Sequence, residues 1–468
     1  HAINLKVKTT NKTGYTATLS SKTNETALLN TNPAITTKIS SISSVSSLSN
    51  FPANTWGYRF DDDIDFSPIP AQSTPVNLIK TTEKSTEEEN YYIKLGMKLN
   101  SSLKPGNYEN KLIISVVSNP YTPKAVMTDG PDFNKKLKAL VTATNKIEHF
   151  KKSTIAPAAS MDAVNIEDED SDYEIKLWLD PTDKTAYYYA EPEKVYLNTD
   201  SGMMFYSDYV DQKIKNILDL DLSNFDTSRV TDMQSMFSGM RGLTSLNLSN
   251  FNTSKVTDMQ HMFSGMSNLT SLNLSNFDTQ NVRNVYYMFS GMSNLTSLDL
   301  SNFNTSKVTD MQSMFSGMLS LTSLNLSSFD TSKVTNMYYM FSNMRSLTTL
   351  DLSNFNTSKV TDMDSMFRDM ANLATINLSN FDTSNVKNMS SMFGITDNDI
   401  PNDKLETIYV NNDFNTTNLT YSFGMFINRK KLRGGNGSFL ANPRMADETW
   451  LRIDDPANGR PGYFTRKP

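Results

Sequence analysis

Between Ile217 and Phe426 the apolar positions of this chain recur with a fixed period. The last leucine of an L-x-x-L-x-L phrase falls at Leu222, Leu248, Leu274, Leu300, Leu326, Leu352 and Leu378, each 26 residues after the one before. A period of this size marks an array of like units, each burying its apolar edge against its neighbours. Six extra residues around Thr396 to Asp403 interrupt the spacing, and a worn eighth copy follows, centred on Val410. Worn terminal copies are expected of capping units.

Two periodicities alternate inside each unit. Leu243, Leu246 and Leu248 are interleaved with Ser245, Asn247 and Ser249, the alternation of a strand with leucines inward and small polar groups outward. Met233, Met236, Phe237 and Met240 follow at helical spacing. Thr231 ahead of Gln234, repeated as Thr257 with Gln260 and Thr309 with Gln312, predicts a capping box at each helix start. Strand and helix joined by a right-handed crossover predict an α/β solenoid of about eight 26-residue leucine-rich-type repeats. The phenylalanines of the S-N-F phrase, such as Phe251 and Phe277, stand where ordinary leucine-rich repeats carry an asparagine, and predict a stacked phenylalanine column in its place.

Upstream, Asn4 to Thr9, Tyr15 to Ser20, Tyr91 to Leu99 and Lys111 to Val117 alternate as short strands, and Trp56-Gly-Tyr58 supplies core bulk. Residues 1–119 therefore predict an all-β sandwich spacer domain ahead of the repeats. Ser-rich Ile39 to Asn50 has the composition of a loop. Prolines between Pro120 and Pro131 open a linker over 120–172, with a short helix between Lys135 and Lys152 and a mobile acidic stretch after it. Residues 173–216 predict a three-strand β meander acting as the N-terminal cap, 217–428 the solenoid, and 429–468 the C-terminal cap.

Composition changes this picture mainly by exclusion. The 44 basic and 50 acidic side chains leave a net charge of -6, which argues against a nucleic-acid backbone as partner. Cysteine is absent, so neither disulfides nor thiolate metal sites can form. The longest apolar run, Leu112 to Val117, is too short to span a bilayer, so this segment is not expected to insert in a membrane. The chain starts at His1, which leads us to expect a start and secretory signal removed upstream and an anchor beyond Pro468. Three histidines, His1, His149 and His261, offer no triad or metal set; no enzyme activity and no cofactor are expected. Asp61-Asp62-Asp63-Ile64-Asp65 could hold Ca²⁺ through hard oxygens, but lacks the alternating order of an EF-hand, and a solvated loop is the simpler assignment. His261 is assigned to an exposed helix position. Nineteen of the 26 methionines lie in the regular repeats at core spacing, which favours packing over a flexible binding groove.

What remains for function is surface. The strand face presents a polar column, Asp221, Asn247, Asn273, Asp299, Asn325, Asp351 and Asn377, which either bonds to itself and water or forms an extended groove for carbohydrate or peptide. On the helix face the third repeat carries Tyr286-Tyr287 and the fifth Tyr338-Tyr339, flanked by Arg283 and Arg345. Tyrosine is the side chain interfaces prefer, so these six residues are the candidate ligand-binding site. The alternative is that the tyrosines pack on each other or on a flanking arm.

The L-x-x-L-x-L phrase followed by S-N-F-D-T-S-x-V-x-x-M-x-x-M-F resembles the BspA-type leucine-rich-repeat proteins of bacterial surfaces. The resemblance covers all seven regular copies and extends to Lys176-Leu-Trp-Leu-Asp upstream and Pro461-Gly-Tyr-Phe downstream. It implies display outside a bacterial cell and binding to a protein or glycan on another cell surface, but fixes no binding residues. A self-assembling or structural cell-envelope protein is the alternative. Asn247-Leu-Ser and Asn252-Thr-Ser, repeated along the array, are N-glycosylation acceptors that would crowd the strand face on a eukaryotic route. A bacterial surface fits better.

Overall fold

The structure, a computed structural model, describes residues 2–468 and divides into one unit that ends at Thr122 and a second, Pro123–Pro468. In the first, strands β1 (Ala2–Val7), β2 (Tyr15–Ser21), β3 (Leu28–Asn30), β4 (Lys38–Ser41), β5 (Thr55–Phe60), β6 (Val76–Lys80), β7 (Glu89–Lys98), β8 (Tyr108–Glu109) and β9 (Leu112–Ser118) form two sheets. Their orders are β1-β7-β5-β4-β3-β8 and β6-β2-β9. Alternation along β2 turns Tyr15, Ala17 and Leu19 inward. Leu19 from one sheet meets Trp56, Tyr58 and Ile93 from the other in a shared core. The indole of Trp56 donates to the Thr26 carbonyl at 3.0 Å, giving the buried N–H its partner. The Ser-rich stretch expected as loop contains most of β4 and the buried Ile42.

The second unit begins inside what the sequence presents as a linker. β10 (Ala125–Val126), α1 (Gly130–Ala139), β11 (His149–Lys152) and β12 (Val164–Asn165) come first, then β13 (Lys176–Asp180), β14 (Thr185–Tyr189), β15 (Val195–Tyr196), β16 (Asp219–Leu220) and β17 (Phe225–Asp226). Asp129 caps α1 by accepting from the Asp132 N–H at 2.8 Å, with Pro131 in the first turn. Helix and β11 are core, not tether. Phe133 and Phe150 are fully buried, and Phe150 packs on Phe205, Tyr188 and Phe225. The expected meander is also redistributed: β13 and β14 pair in the order β12-β13-β14-β11-β16, while β15 lies between β10 and β17. The first repeat is thus joined to the preceding residues through both small sheets.

The α/β solenoid of leucine-rich-type repeats is not what forms. The single α-helix among the described residues is α1, outside the repeats, and no strand lies between Asp226 and Thr375. The leucine segments keep their expected facing, with Leu243 and Leu248 buried and Ser245, Asn247 and Ser249 exposed, but build no strand ladder. The Met-x-x-Met-Phe segments keep Met233, Met236, Phe237 and Met240 fully buried without being helical. Backbone hydrogen bonding shows why. Alternate amides leave the segment for the next repeat, Met233 to Asp258 O (3.0 Å), Ser235 to Gln260 O (2.8 Å), Phe237 to Met262 O (3.0 Å) and Gly239 to Ser264 O (2.8 Å). The amides between them close tight turns, Met236 to Met233 O and Ser238 to Ser235 O. A helix would need all of these donors for itself. Ser235 and Gly239 are left-handed, with φ of 54° and 76°, and a left-handed residue ends a right-handed helix. The expected capping box is absent as well: Thr231 donates to Thr199 O, and the Gln234 N–H is met by Asp232.

Repeats stack through side chains as well as backbone. The rings of Phe205, Phe237, Phe263, Phe289, Phe315, Phe341, Phe367, Phe393 and Phe426 lie near-parallel, with centroids 5.3–6.1 Å apart. The stacked column is therefore the phenylalanine after the second methionine. The S-N-F phenylalanines, such as Phe277 against Phe263, lean on it at 39°. The asparagine before them forms a ladder of its own: Asn302 donates to Leu274 O (3.0 Å) and Phe277 O (2.7 Å) of the preceding repeat. At the far end β18 (Thr375–Asn377), β19 (Thr407–Val410) and β20 (Phe464–Arg466) pair in parallel. There Arg429, fully buried, donates to Phe393 O and pairs with Asp403 at 2.5 Å.

Candidate functional site

Every regular repeat places two residues between its paired apolar positions that lie outside the hydrophobic cluster, although Ser235, Gln260, Ser313 and Ser365 among them are buried. In order they are Gln234-Ser235, Gln260-His261, Tyr286-Tyr287, Gln312-Ser313, Tyr338-Tyr339, Asp364-Ser365 and Ser390-Ser391. The second of each pair is left-handed throughout, with φ between 51° and 56°. Serine fills this place in four repeats, and a bulky side chain there is strained. Tyr287 and Tyr339 (both φ 56°) and His261 (φ 55°) occupy it nonetheless. Backbone strain kept at an aromatic is an observation from which function is argued.

The tyrosine pairs are half-buried and each is in ring contact, Tyr286 with Tyr287 at 6.0 Å and Tyr338 with Tyr339 at 4.3 Å. His261, assigned from sequence to an exposed helix position, is half-buried in a turn; its ring stacks on Tyr287 at 4.7 Å and 13° and meets Tyr286 edge-on at 5.1 Å. Gln312 donates to Tyr287 Oη (3.2 Å) and accepts from Asn336 Nδ2 (3.2 Å), and Asn336 Oδ1 in turn accepts from the Tyr338 N–H at 3.0 Å. Burial pushes the Tyr286 phenol up, helped by the nearby Asp258 and Asp310 carboxylates. Burial likewise pushes Tyr338 up to about 12, with Tyr339 and Asp364 adding to it. Burial lowers His261, against the opposing pull of Asp258. The three rings are uncharged at neutral pH.

Arg283 is exposed beside the first pair, but Arg345 is drawn elsewhere. Its Nε lies 2.9 Å from Asp399 Oδ2, at an angle that leaves no hydrogen bond. The cavity of about 290 Å³ that it lines, with Asn372, Pro401 and Lys431, contains none of the tyrosines.

Three aromatic contributions escape the repeat pattern. Phe423, 66% exposed, occupies the register of Tyr286 and Tyr338 in the last repeat, where Ser391 N–H donates to its carbonyl at 2.9 Å as Ser235 does to Gln260. The inserted residues hide that alignment in the sequence. Tyr206 and Tyr209 come from the loop before the first repeat and face His261, Tyr286 and Tyr287 across a groove of about 480 Å³. Arg241 sits over Tyr209 at 5.3 Å.

The polar column of the leucine face is largely engaged locally: Asn247, Asn273, Asp299, Asn325, Asp351 and Asn377 each accept from the backbone N–H two residues on. A shallow concavity of about 460 Å³ lies there between Ser323 and Asn377. Among the described residues no group of three or more His, Cys, Asp or Glu is placed to hold a metal ion, and in the Asp61–Asp65 run Asp61 accepts from the Tyr92 N–H. No helix of the described residues is long and apolar enough to cross a membrane.

An array of turn-built repeats that stack through backbone, asparagine and phenylalanine, with aromatic pairs along one face, is the class of protein defined here. The chain belongs to the family described as "Mycoplasma protein of unknown function, DUF285", whose model matches residues 204–322, 290–407 and 346–442, together just over half of the chain. That description names neither a leucine-rich repeat nor BspA-type proteins. No curated protein and no solved structure matches the chain.

Proposed function

We propose that this chain is a bacterial cell-surface binding protein whose repeat array presents its aromatic face to a partner on another surface. The observation that carries the reading is the placement of Tyr287 and Tyr339 at left-handed positions that serine fills elsewhere in the same array. Packing needs no tyrosine there, whereas large side chains with few rotors bind at low entropic cost. The resemblance of the repeated phrase to BspA-type surface proteins and the bacterial name of the matched family support the location. Replacing Tyr286, Tyr287, Tyr338 and Tyr339 by the Gln-Ser of the fourth repeat should weaken attachment to cells about tenfold or more. A melting temperature within a few degrees of wild type would show the array intact, and unchanged attachment would refute the reading.

A self-assembling envelope protein is the second reading, favoured by β9. This edge strand leaves Ile113, Val116 and Val117 exposed, and an exposed apolar edge is a template for further pairing. Sedimentation of the wild type against Val117→Lys tests it: self-association that the lysine abolishes supports it, and a monomer in both cases removes it.

A further inference from the structure

The groove between the Tyr206–Tyr209 loop and the aromatic shelf of the second and third repeats has a chemistry of its own. Its volume, about 480 Å³, lies in the range of sites for small ligands. One wall is the stack of His261 on Tyr287 with Tyr286 edge-on to both. The other carries Tyr209, 84% exposed, beneath the guanidinium of Arg241. Between the walls are Ser235 and Ser238, only 7% and 9% exposed, whose hydroxyls make no hydrogen bond within the chain. Neither hydroxyl oxygen is shut off from solvent, so each is open on the groove side to a bond with water or a ligand.

We infer that this groove binds a pyranose ring of a glycan. A pyranose combines an apolar C–H face, which lies against aromatic rings, with hydroxyls at its edge that both donate and accept, as serine hydroxyls and the Gln234 amide do. Competing ligand classes fit less well. An organic cation would meet the guanidinium of Arg241, which lines the groove and already lies over the Tyr209 ring. A peptide adding as a strand would need free backbone donors, and those of Ser235, Gly239 and Gly265 are bonded to the next repeat. The floor is kept open by Gly239 and Gly265; in the fifth repeat Asn343 stands at the equivalent left-handed position with φ 62°.

That asparagine suggests the test. Gly265→Asn places a side chain in the groove at a left-handed position that asparagine tolerates, and a Cβ there meets nothing closer than 3.7 Å. Wild-type protein would be applied to immobilised oligosaccharides ending in hexose, N-acetylhexosamine or an acidic sugar, and the strongest free saccharide followed by saturation-transfer NMR. Gly265→Asn and the pair Tyr286→Gln with Tyr287→Ser should each weaken binding about tenfold or more, and Ser297→Ala on the leucine face should leave it unchanged. Should Gly265→Asn fail to fold, the tyrosine pair decides. No bound saccharide, or binding that survives both changes, overturns the inference. The inference rests on the surface-binding reading only for where the glycan resides: cell attachment that depends on the four tyrosines without saccharide binding would leave that reading standing and remove this one.

Discussion

Asn284 Nδ2 donates to Asp258 Oδ2 of the preceding repeat at 2.7 Å. The two belong to a column joined by parallel bridges, Asp200, Asp232, Asp258, Asn284, Asp310, Asn336, Asp362 and Asn388. From Asp258 onward an amide separates each carboxylate from the next. Up to and including it three carboxylates are consecutive, and Asp232 in the middle is held above the usual carboxylate range, first by burial and then by Asp258 and Asp200. A raised carboxyl favours the folded state fully below its unfolded pKa of about 4 and loses that contribution as pH rises through the folded value. Asp232→Asn keeps the oxygen that accepts from Gln234 and removes the repulsion. It should raise the melting temperature at neutral pH by about 1–2 °C, with the gain shrinking as pH falls toward about 4. Thermal melts across that range check it; a gain that grows with acid would contradict it.

The asparagine ladder gives a prediction in both directions. Asn302→Ala strips donors from Leu274 O and Phe277 O and should cost about 1–3 kcal/mol. In the fifth repeat Ser328 reaches only Leu300 O, at 3.0 Å. Ser328→Asn should restore the second bond and stabilise by about 0.5–1.5 kcal/mol, measured by denaturant unfolding.

Core and outward positions should separate cleanly. Phe289, stacked at 5.9 Å on both Phe263 and Phe315, should cost about 3–5 kcal/mol as Phe289→Ala, and Leu300→Ala about 2–5 kcal/mol. Ser297→Ala, at an exposed position, should be nearly silent. Similar losses from all three would show the facing to be misassigned.

Burial of Arg429 against Asp403 makes each dependent on the other. Desolvation pulls the guanidinium pKa down, and Asp403 is the first of the carboxylates that oppose it. Asp403→Asn or Arg429→Met alone strands a buried charge and should cost about 3–5 kcal/mol, while the double change should recover much of that loss. A double-mutant cycle measures the coupling, and additive losses would mean the pair is not coupled.

Truncation tests where the second unit starts. A fragment from Pro123 to Pro468 keeps Phe133 and Phe150, which pack on Phe205, and should melt cooperatively. A fragment starting at Tyr173 loses both and should aggregate. Equal behaviour would return residues 123–172 to the role of a tether.

The period, the inward facing of the repeat leucines, methionines and phenylalanines, and the tyrosine pairs that break the pattern were all legible in the spacing of residues, because side-chain burial follows from spacing whatever the backbone does. The path of the backbone was not, because contacts between repeats set it. The spacing of Met233, Met236, Phe237 and Met240 is shared by a helix and by a string of tight turns, and the choice falls to amides that find carbonyls one repeat away. No local signal in the sequence encodes that. The same holds for the candidate site: Tyr286 and Tyr287 stood out from their neighbours, but their contacts with His261, and the groove they share with Tyr206 and Tyr209, depend on residues that only stacking brings together. Arg345 was near in sequence to Tyr339 and is lost to the site, because an inserted aspartate, Asp399, takes its charge.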